Sequence, residues 1–237
     1  MTLSYDINNK NSIIAFANQL AGKSLRDVLP QNLSLEIDRQ LVSAGNKGKF
    51  GHKVEKYYFD YDINNDANPD FSCGLELKVT PLKVLKNGKL SPKERLVCNI
   101  INYMGIVNES WETSSFLNKN KEILLLRYVD PLNSSVSQLD YKFVDVRVHN
   151  LNTSEDFQQF EEDWNLIVRK IRSGNAHNLS ESDTKYLGAC TKGADSSSTR
   201  PQPESSQKAM QRAFCFKTQY MRILLNRAPE IYEVWQG

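Results

Sequence analysis

Asp70, Glu76 and Lys78 are spaced so that they can act together. Pro69-Asp70 precedes Gly74-Leu75-Glu76-Leu77-Lys78, so one carboxylate is followed by a second and then by an amine two residues on. Leu75, Leu77 and Val79 alternate with Gly74, Glu76 and Lys78, which predicts a strand with one apolar and one charged face. Side chains two apart on a strand point the same way, roughly 7 Å apart along the backbone. Two acids so placed can hold a hard divalent cation, with the amine beside the water or phosphate that the cation polarises. Those are the parts needed to cut a phosphodiester. The plain alternative is an exposed strand face whose Glu–Lys pair has little energetic worth.

Neighbouring residues favour the chemical reading. Glu55 lies fifteen residues before Asp70 and can add a third acid from a preceding helix. Three clustered carboxylates repel one another without a cation and become favourable with one. Lys119 can reach the same point from the start of a neighbouring strand. Basic residues are unevenly placed. Lys83, Lys86, Lys89, Lys93 and Arg95 stand against Glu94 alone, and Lys185, Lys192, Arg200, Lys208, Arg212 and Lys217 against Asp195 and Glu204. Such stretches suit phosphate contacts, and beside an acid cluster they read as a DNA groove rather than as solvated surface. His52, His149 and His177 show no metal spacing. Cys190 and Cys215 read as packing residues, since no partner base is evident.

Several elements must position these groups. A helical stretch covers about Asn11 to Val28, with Gly22 ending the first helix and Lys23-Ser24-Leu25 beginning a short second element. Val54 to Phe59 is expected to be helical, with Glu55 near its start. Strands are expected over Gly74–Thr80, Arg95–Asn102, Glu122–Val129 and Tyr141–His149, with a turn at Lys86-Asn87-Gly88-Lys89. Ser154 to Arg172 is the clearest helix, capped by Ser154 with acids in its first turn, and ended by Gly174. Phe157, Phe160, Trp164, Ile167, Val168 and Ile171 share one face of it. Ser196 to Pro203 has loop composition. Arg212 to Leu225 is a strand followed by a helix, or a single helix.

Composition sets the outer limits. The chain has 237 residues, 40% hydrophobic and 24% charged, enough for one large domain or two small lobes. The formal net charge is +2, so any nucleic-acid surface comes from charge separation rather than from overall excess. Four cysteines with no CxxC pair argue against a zinc site or a disulfide framework. A reduced, cytoplasmic setting is expected, with no signal-like start and no bilayer-spanning run.

These residues resemble the family that joins the mismatch-repair nicking endonuclease MutH to type II restriction endonucleases cutting at GATC. The matching segments are Gln19 to Leu25, Lys47-Gly48, Glu55, Asp70 with Glu76-Leu77-Lys78, Trp111 to Ser114, Lys119, Asp163-Trp164, Tyr186-Leu187 before Lys192, and Arg212 to Phe214 leading to Lys217. The restriction branch is the nearer one, through Lys86 to Lys89, Lys93 to Val97, Asn99 to Tyr103, Cys190 to Ala194 and Gln211 to Phe214. In MutH an Arg-Pro pair precedes the lysine that matches Lys192; here Cys190-Thr191 stand there.

The resemblance implies an α/β, restriction-endonuclease-like PD-(D/E)xK fold: a mixed central sheet flanked by helices, with two lobes clamping DNA. A single domain over 1–237 is expected, with a catalytic core over about 1–150 and a recognition lobe over 151–237. Asp70, Glu76 and the Leu77 carbonyl would bind Mg²⁺, supported by Glu55. Lys78 would orient or deprotonate the attacking water, and Lys119 would assist near the phosphate. Lys47 and Gly48 would belong to a loop that orders on DNA. Lys192, Arg200, Arg212 and Lys217 would bind DNA in the major groove. The expected reaction is Mg²⁺-dependent hydrolysis of double-stranded DNA at GATC, leaving a 5′-phosphate. The alternatives are a nicking enzyme at GATC that works with a partner, and a DNA-binding module that does not cut. Restriction enzymes of the family can carry a second, degenerate copy of the domain, and this chain stops at Gly237 without one. A duplex break would then need a dimer or a second domain on the DNA.

Overall fold

In the computed structural model, which describes residues 4–43, 50–61, 67–193, 195 and 197–235, a four-stranded mixed sheet forms the centre. Its strands are β1 (Glu76–Val84), β2 (Leu90–Pro92), β4 (Glu122–Val129) and β5 (Phe143–Asn150), in the order β2-β1-β4-β5. β1 and β4 are parallel, with Glu76 opposite Ile123 and Lys78 opposite Leu125; the other pairings are antiparallel. A second, antiparallel sheet takes β3 (Leu96–Ile100), β9 (Arg212–Phe216) and β6 (Leu187–Thr191), in the order β3-β9-β6.

Strand alternation decides what each face of the first sheet meets. Leu77, Leu124 and Leu126 point to one side. They pack with Ile13, Ala17 and Leu20 of α1 (Lys10–Asn18) and its following turn, and with Phe50, Val54 and Phe59. Ile123 and Leu125 point to the other side. They pack under α6 (Phe157–Arg172) and against Phe214 and Phe216 of the second sheet. α6 buries Phe160, Trp164, Ile167, Val168 and Ile171 at helical spacing, each worth about 1.5–3 kcal/mol of transfer free energy. Asp163 joins them. Its carboxylate accepts the backbone amides of Lys185, Tyr186 and Leu187 at 2.9, 2.5 and 2.8 Å, fixing where β6 begins against the helix.

Several expectations need adjusting. The stretch 11–28 holds the two expected elements, α1, which already ends at Asn18, and α2 (Leu25–Val28), with Gly22 at φ +75° between them. α3 (Gln31–Ser43) and α4 (Phe50–Lys53) follow, and α4 runs into a single π-helical turn at Val54–Tyr58 that carries Glu55. α5 (Ser115–Asn120) precedes β4 and carries Lys119. α6 starts at Phe157 with no acid in its first turn. Ser154 Oγ accepts from the Asp156 amide instead of capping the helix, because Asp156 itself occupies the N-cap position and its carboxylate is taken by Arg227. The polar stretch read as a loop contains β7 (Thr199–Gln202), paired antiparallel with β8 (Ser205–Met210). β9 and α7 (Thr218–Asn226) realise the strand-then-helix alternative, and α8 (Ile231–Val234) follows.

Candidate active site

Glu76 opens β1, a strand with neighbours on both sides, and its side chain is only 1% exposed. The sequence reading gave β1 one apolar and one charged face. In the structure both faces are covered, and Leu77 is as buried as Glu76. Asp70 reaches Glu76 from the preceding loop through two contacts. The Asp70 amide donates to Glu76 Oε2 at 3.1 Å, and the Leu77 amide donates to Asp70 Oδ2 at 2.8 Å. The loop is closed by Phe71 pairing with Leu75, with Gly74 at φ +85° between them.

Two ammonium groups meet the same carboxylate. Lys78 Nζ donates to Glu76 Oε1, and Lys119 Nζ lies 3.4 Å from Glu76 Oε2 while donating to the Asn68 carbonyl at 2.6 Å. Burial pushes the Glu76 carboxyl above its usual range. Lys78 and Lys119 pull it back, and the Asp70 charge adds to the rise. Burial would lower the Lys78 ammonium, but the Glu76 carboxylate beside it outweighs that and holds it above its ordinary value. Cys98 of β3, near Lys78, has its thiol pushed up to about 12 by burial, so it stays a neutral thiol.

The structure thus brings together Asp70, Glu76, Lys78 and Lys119. Glu55 stands on the π-helical turn at Val54–Tyr58, with its Oε1 close to Gly51 one turn earlier. Among the described residues no three His, Cys, Asp or Glu side chains are grouped closely enough to hold a metal ion. The donors present still suit one kind of cation. They are two hard carboxylates, one of them buried and raised chiefly by that burial. A small dication such as Mg²⁺ is commonly held by one or two carboxylates, with water and phosphate oxygens completing its shell.

The expected DNA-contacting residues separate into two places. Lys192, at the end of β6, donates its amide to the Gln211 carbonyl at 2.8 Å and so adjoins Arg212. Arg200 lies on β7, which is tied to the same corner by the Gln211 amide donating to Ser198 at 2.8 Å. Arg200 is exposed, whereas Lys192 and Arg212 are partly buried, and Arg212 donates to the Ala189 carbonyl at 2.7 Å. Lys217 sits at the opposite end of β9, about 17 Å along the strand, and donates to the Thr184 carbonyl. Lys47 and Gly48 lie outside the described residues. Sequence reasoning overlooked the Asn68 carbonyl that anchors Lys119, and a backbone acceptor leaves no trace in residue type. It also passed over Arg127, a charge within the apolar run of β4, which was a visible signal.

Fold and site together define a mixed α/β protein with a carboxylate–lysine centre at the start of its central parallel strand pair. Residues 59–163 match the family model for the DNA mismatch repair enzyme MutH. The chain is 39% identical over 220 residues to the type II restriction enzyme Sau3AI of Staphylococcus aureus, covering 92% of this chain and 42% of that enzyme. It is 26% identical over 243 residues to the DNA mismatch repair protein MutH of Shewanella woodyi, covering 98% of this chain and 97% of that protein. The chain is thus similar to both proteins over most of its own length, and its MutH-type match includes Asp70, Glu76, Lys78 and Lys119. It spans less than half the length of Sau3AI.

Proposed function

We propose that this protein is a Mg²⁺-dependent endonuclease that hydrolyses double-stranded DNA at GATC and leaves a 5′-phosphate. The observation that carries the reading is the meeting of Asp70, Glu76, Lys78 and Lys119 around one buried carboxylate. A binder would gain nothing from two acids facing phosphates. Asp70 and Glu76, with the Leu77 carbonyl, would hold the ion, which when bound supplies charge stabilisation at the scissile phosphate and a more acidic water. Lys78 sits where its ammonium, held charged by Glu76, can orient that water. Lys119, fixed by the Asn68 carbonyl, presents a positive charge to the phosphate. Glu55 enters the proposal as a supporting acid on its helical turn rather than as a ligand.

On this reading the fold is the restriction-endonuclease-like PD-(D/E)xK type. Its two lobes are a catalytic core over about 1–150 and a recognition lobe over 151–237. Lys192, Arg200 and Arg212 would approach one stretch of DNA, Lys217 a second, and Lys47-Gly48 the loop that orders on binding. Among the described residues no helix is long and apolar enough to cross a membrane, and a cytoplasmic setting suits a DNA substrate.

The near full-length match to MutH favours a second reading, a nicking enzyme at GATC that works with a partner. One test separates them. Supercoiled plasmid containing GATC is incubated with the protein and Mg²⁺. Linear product supports the first reading, and nicked circles that need an added protein support the second. An intact plasmid with site-specific binding would leave only a recognition module. Methylated and unmethylated plasmid run side by side define the substrate further.

A further inference from the structure

The side of the first sheet that bears Glu76 and Lys78 also bears a buried arginine. Arg127 on β4 is opposite Thr80 of β1 and Asp145 of β5, two positions beyond Leu125 and hence on the same face. It is 1% exposed. Its Nη1 lies 3.2 Å from Asp145 Oδ2, but not in hydrogen-bonding geometry, and none of its three guanidinium nitrogens has a hydrogen-bond partner. A guanidinium carries five N–H donors and no acceptor, and leaving them unmatched in a buried place is unfavourable.

Arg127 is also among the residues that line a cavity of about 290 Å³ between the sheet and the end of α7. Arg127, Arg147 and His149 line it from the sheet, and Leu224 and Arg227 from the helix. The local carboxylates make their hydrogen bonds to other arginines, although Asp145 also stands near Arg127. Asp145 and Glu230 hold Arg147. Asp156 and Glu155 hold Arg227. The His149 ring is pushed down to about 4 by burial and by Arg127 and Arg227, so it is neutral in ordinary buffers. What the cavity lacks is an occupant made only of acceptors. Phosphate-type oxyanions are that, and they match the planar fork of an arginine.

We propose that this cavity is a binding site for a phosphate-type oxyanion, with Arg127 as its principal ligand and Arg147 and Arg227 at its mouth. The phosphate could be free, part of a small phosphoester, or part of a DNA backbone. The proposal does not depend on the nuclease reading, and its test does not use cleavage.

The full chain is titrated with inorganic phosphate without Mg²⁺, at constant ionic strength, with chloride as the control anion. The ring signals of His149, one of three histidines, are followed by NMR together with the melting temperature. Phosphate is expected to shift the His149 signals saturably and to raise Tm, chloride to do neither, and Arg127→Met to lose both effects. A DNA duplex that displaces phosphate from the wild type identifies a backbone phosphate. Arg127→Met should then lower the slope of log affinity against log salt by about 1. A duplex that does not displace it identifies a free or small phosphate. If phosphate does no more than chloride in the wild type, or acts equally on Arg127→Met, the cavity holds only water and the proposal is overturned. Should Arg127→Met fail to fold, the wild-type titration with its chloride control decides the matter.

Discussion

The backbone amide of Asp70 donates to Glu76 Oε2 at 3.1 Å. The reciprocal contact, from the Leu77 amide to Asp70 Oδ2, makes a closed clasp between loop and strand. The positions of the two carboxylates therefore do not depend on a ligand. They are set by main-chain donors that no side-chain substitution nearby removes. The counter-charge to the two carboxylates comes from Lys78 and Lys119, both of which meet Glu76.

Glu76→Gln should keep the clasp and lose the ion. Wild-type protein at a hundredfold excess over the Mg²⁺ dissociation constant should gain about 2.7 kcal/mol of stability, and the variant close to none. Melting with and without Mg²⁺ checks this. Plasmid cleavage by the variant should fall by at least about 10²-fold, and chelator should abolish wild-type cleavage.

Lys78→Ala removes the closest counter-charge from a carboxylate that is almost fully buried. Breaking such a pair from one side costs on the order of 3 kcal/mol. Denaturant unfolding should show that loss, and Mg²⁺ should restore part of it by replacing the missing charge. A Lys78→Ala protein as stable as wild type without metal would contradict the ion-pair reading.

Acid should weaken the fold through His149. Its ring titrates near 6.5 when unfolded and at about 4 when folded. The unfolded chain therefore binds the proton first, and stability falls as the pH drops from 6.5 towards 4, by on the order of 3 kcal/mol. Thermal melts across that window should be flatter for His149→Gln than for the wild type.

Asp163→Asn should act far from the centre. One carboxylate there serves three consecutive amides at the start of β6. An amide oxygen cannot take all three, so a loss of about 1–3 kcal/mol is expected. Faster hydrogen exchange at the amides of Lys185 to Leu187 would localise it.

Gly174→Ala should destabilise the join between α6 and the β7–β8 hairpin. Gly174 has φ +73°, and an added Cβ would stand 2.8 Å from the Glu204 carbonyl oxygen. Strain of this kind typically costs more than 1 kcal/mol, measurable as a lower Tm.

Residues whose role follows from local spacing were readable in the sequence. β4 runs over the expected Glu122 to Val129, and Asp70, Glu76, Lys78 and Lys119 converge as their order suggested. The helix stop at Gly174 was readable, but its contact with Glu204 was not, since that depends on a hairpin thirty residues on. The hairpin itself was hidden because Ser205 to Met210 is polar and mostly exposed, with no apolar alternation to mark a strand.

The strand order carries a practical consequence. β3 pairs with β9 in one sheet, and the chain then returns with β4 to pair with β1 in the other. The backbone is thereby laced between the two sheets. A protease nick in the exposed stretch 131–135 would sever the covalent path without freeing either piece, and the two fragments should elute together on gel filtration until a denaturant unstitches them.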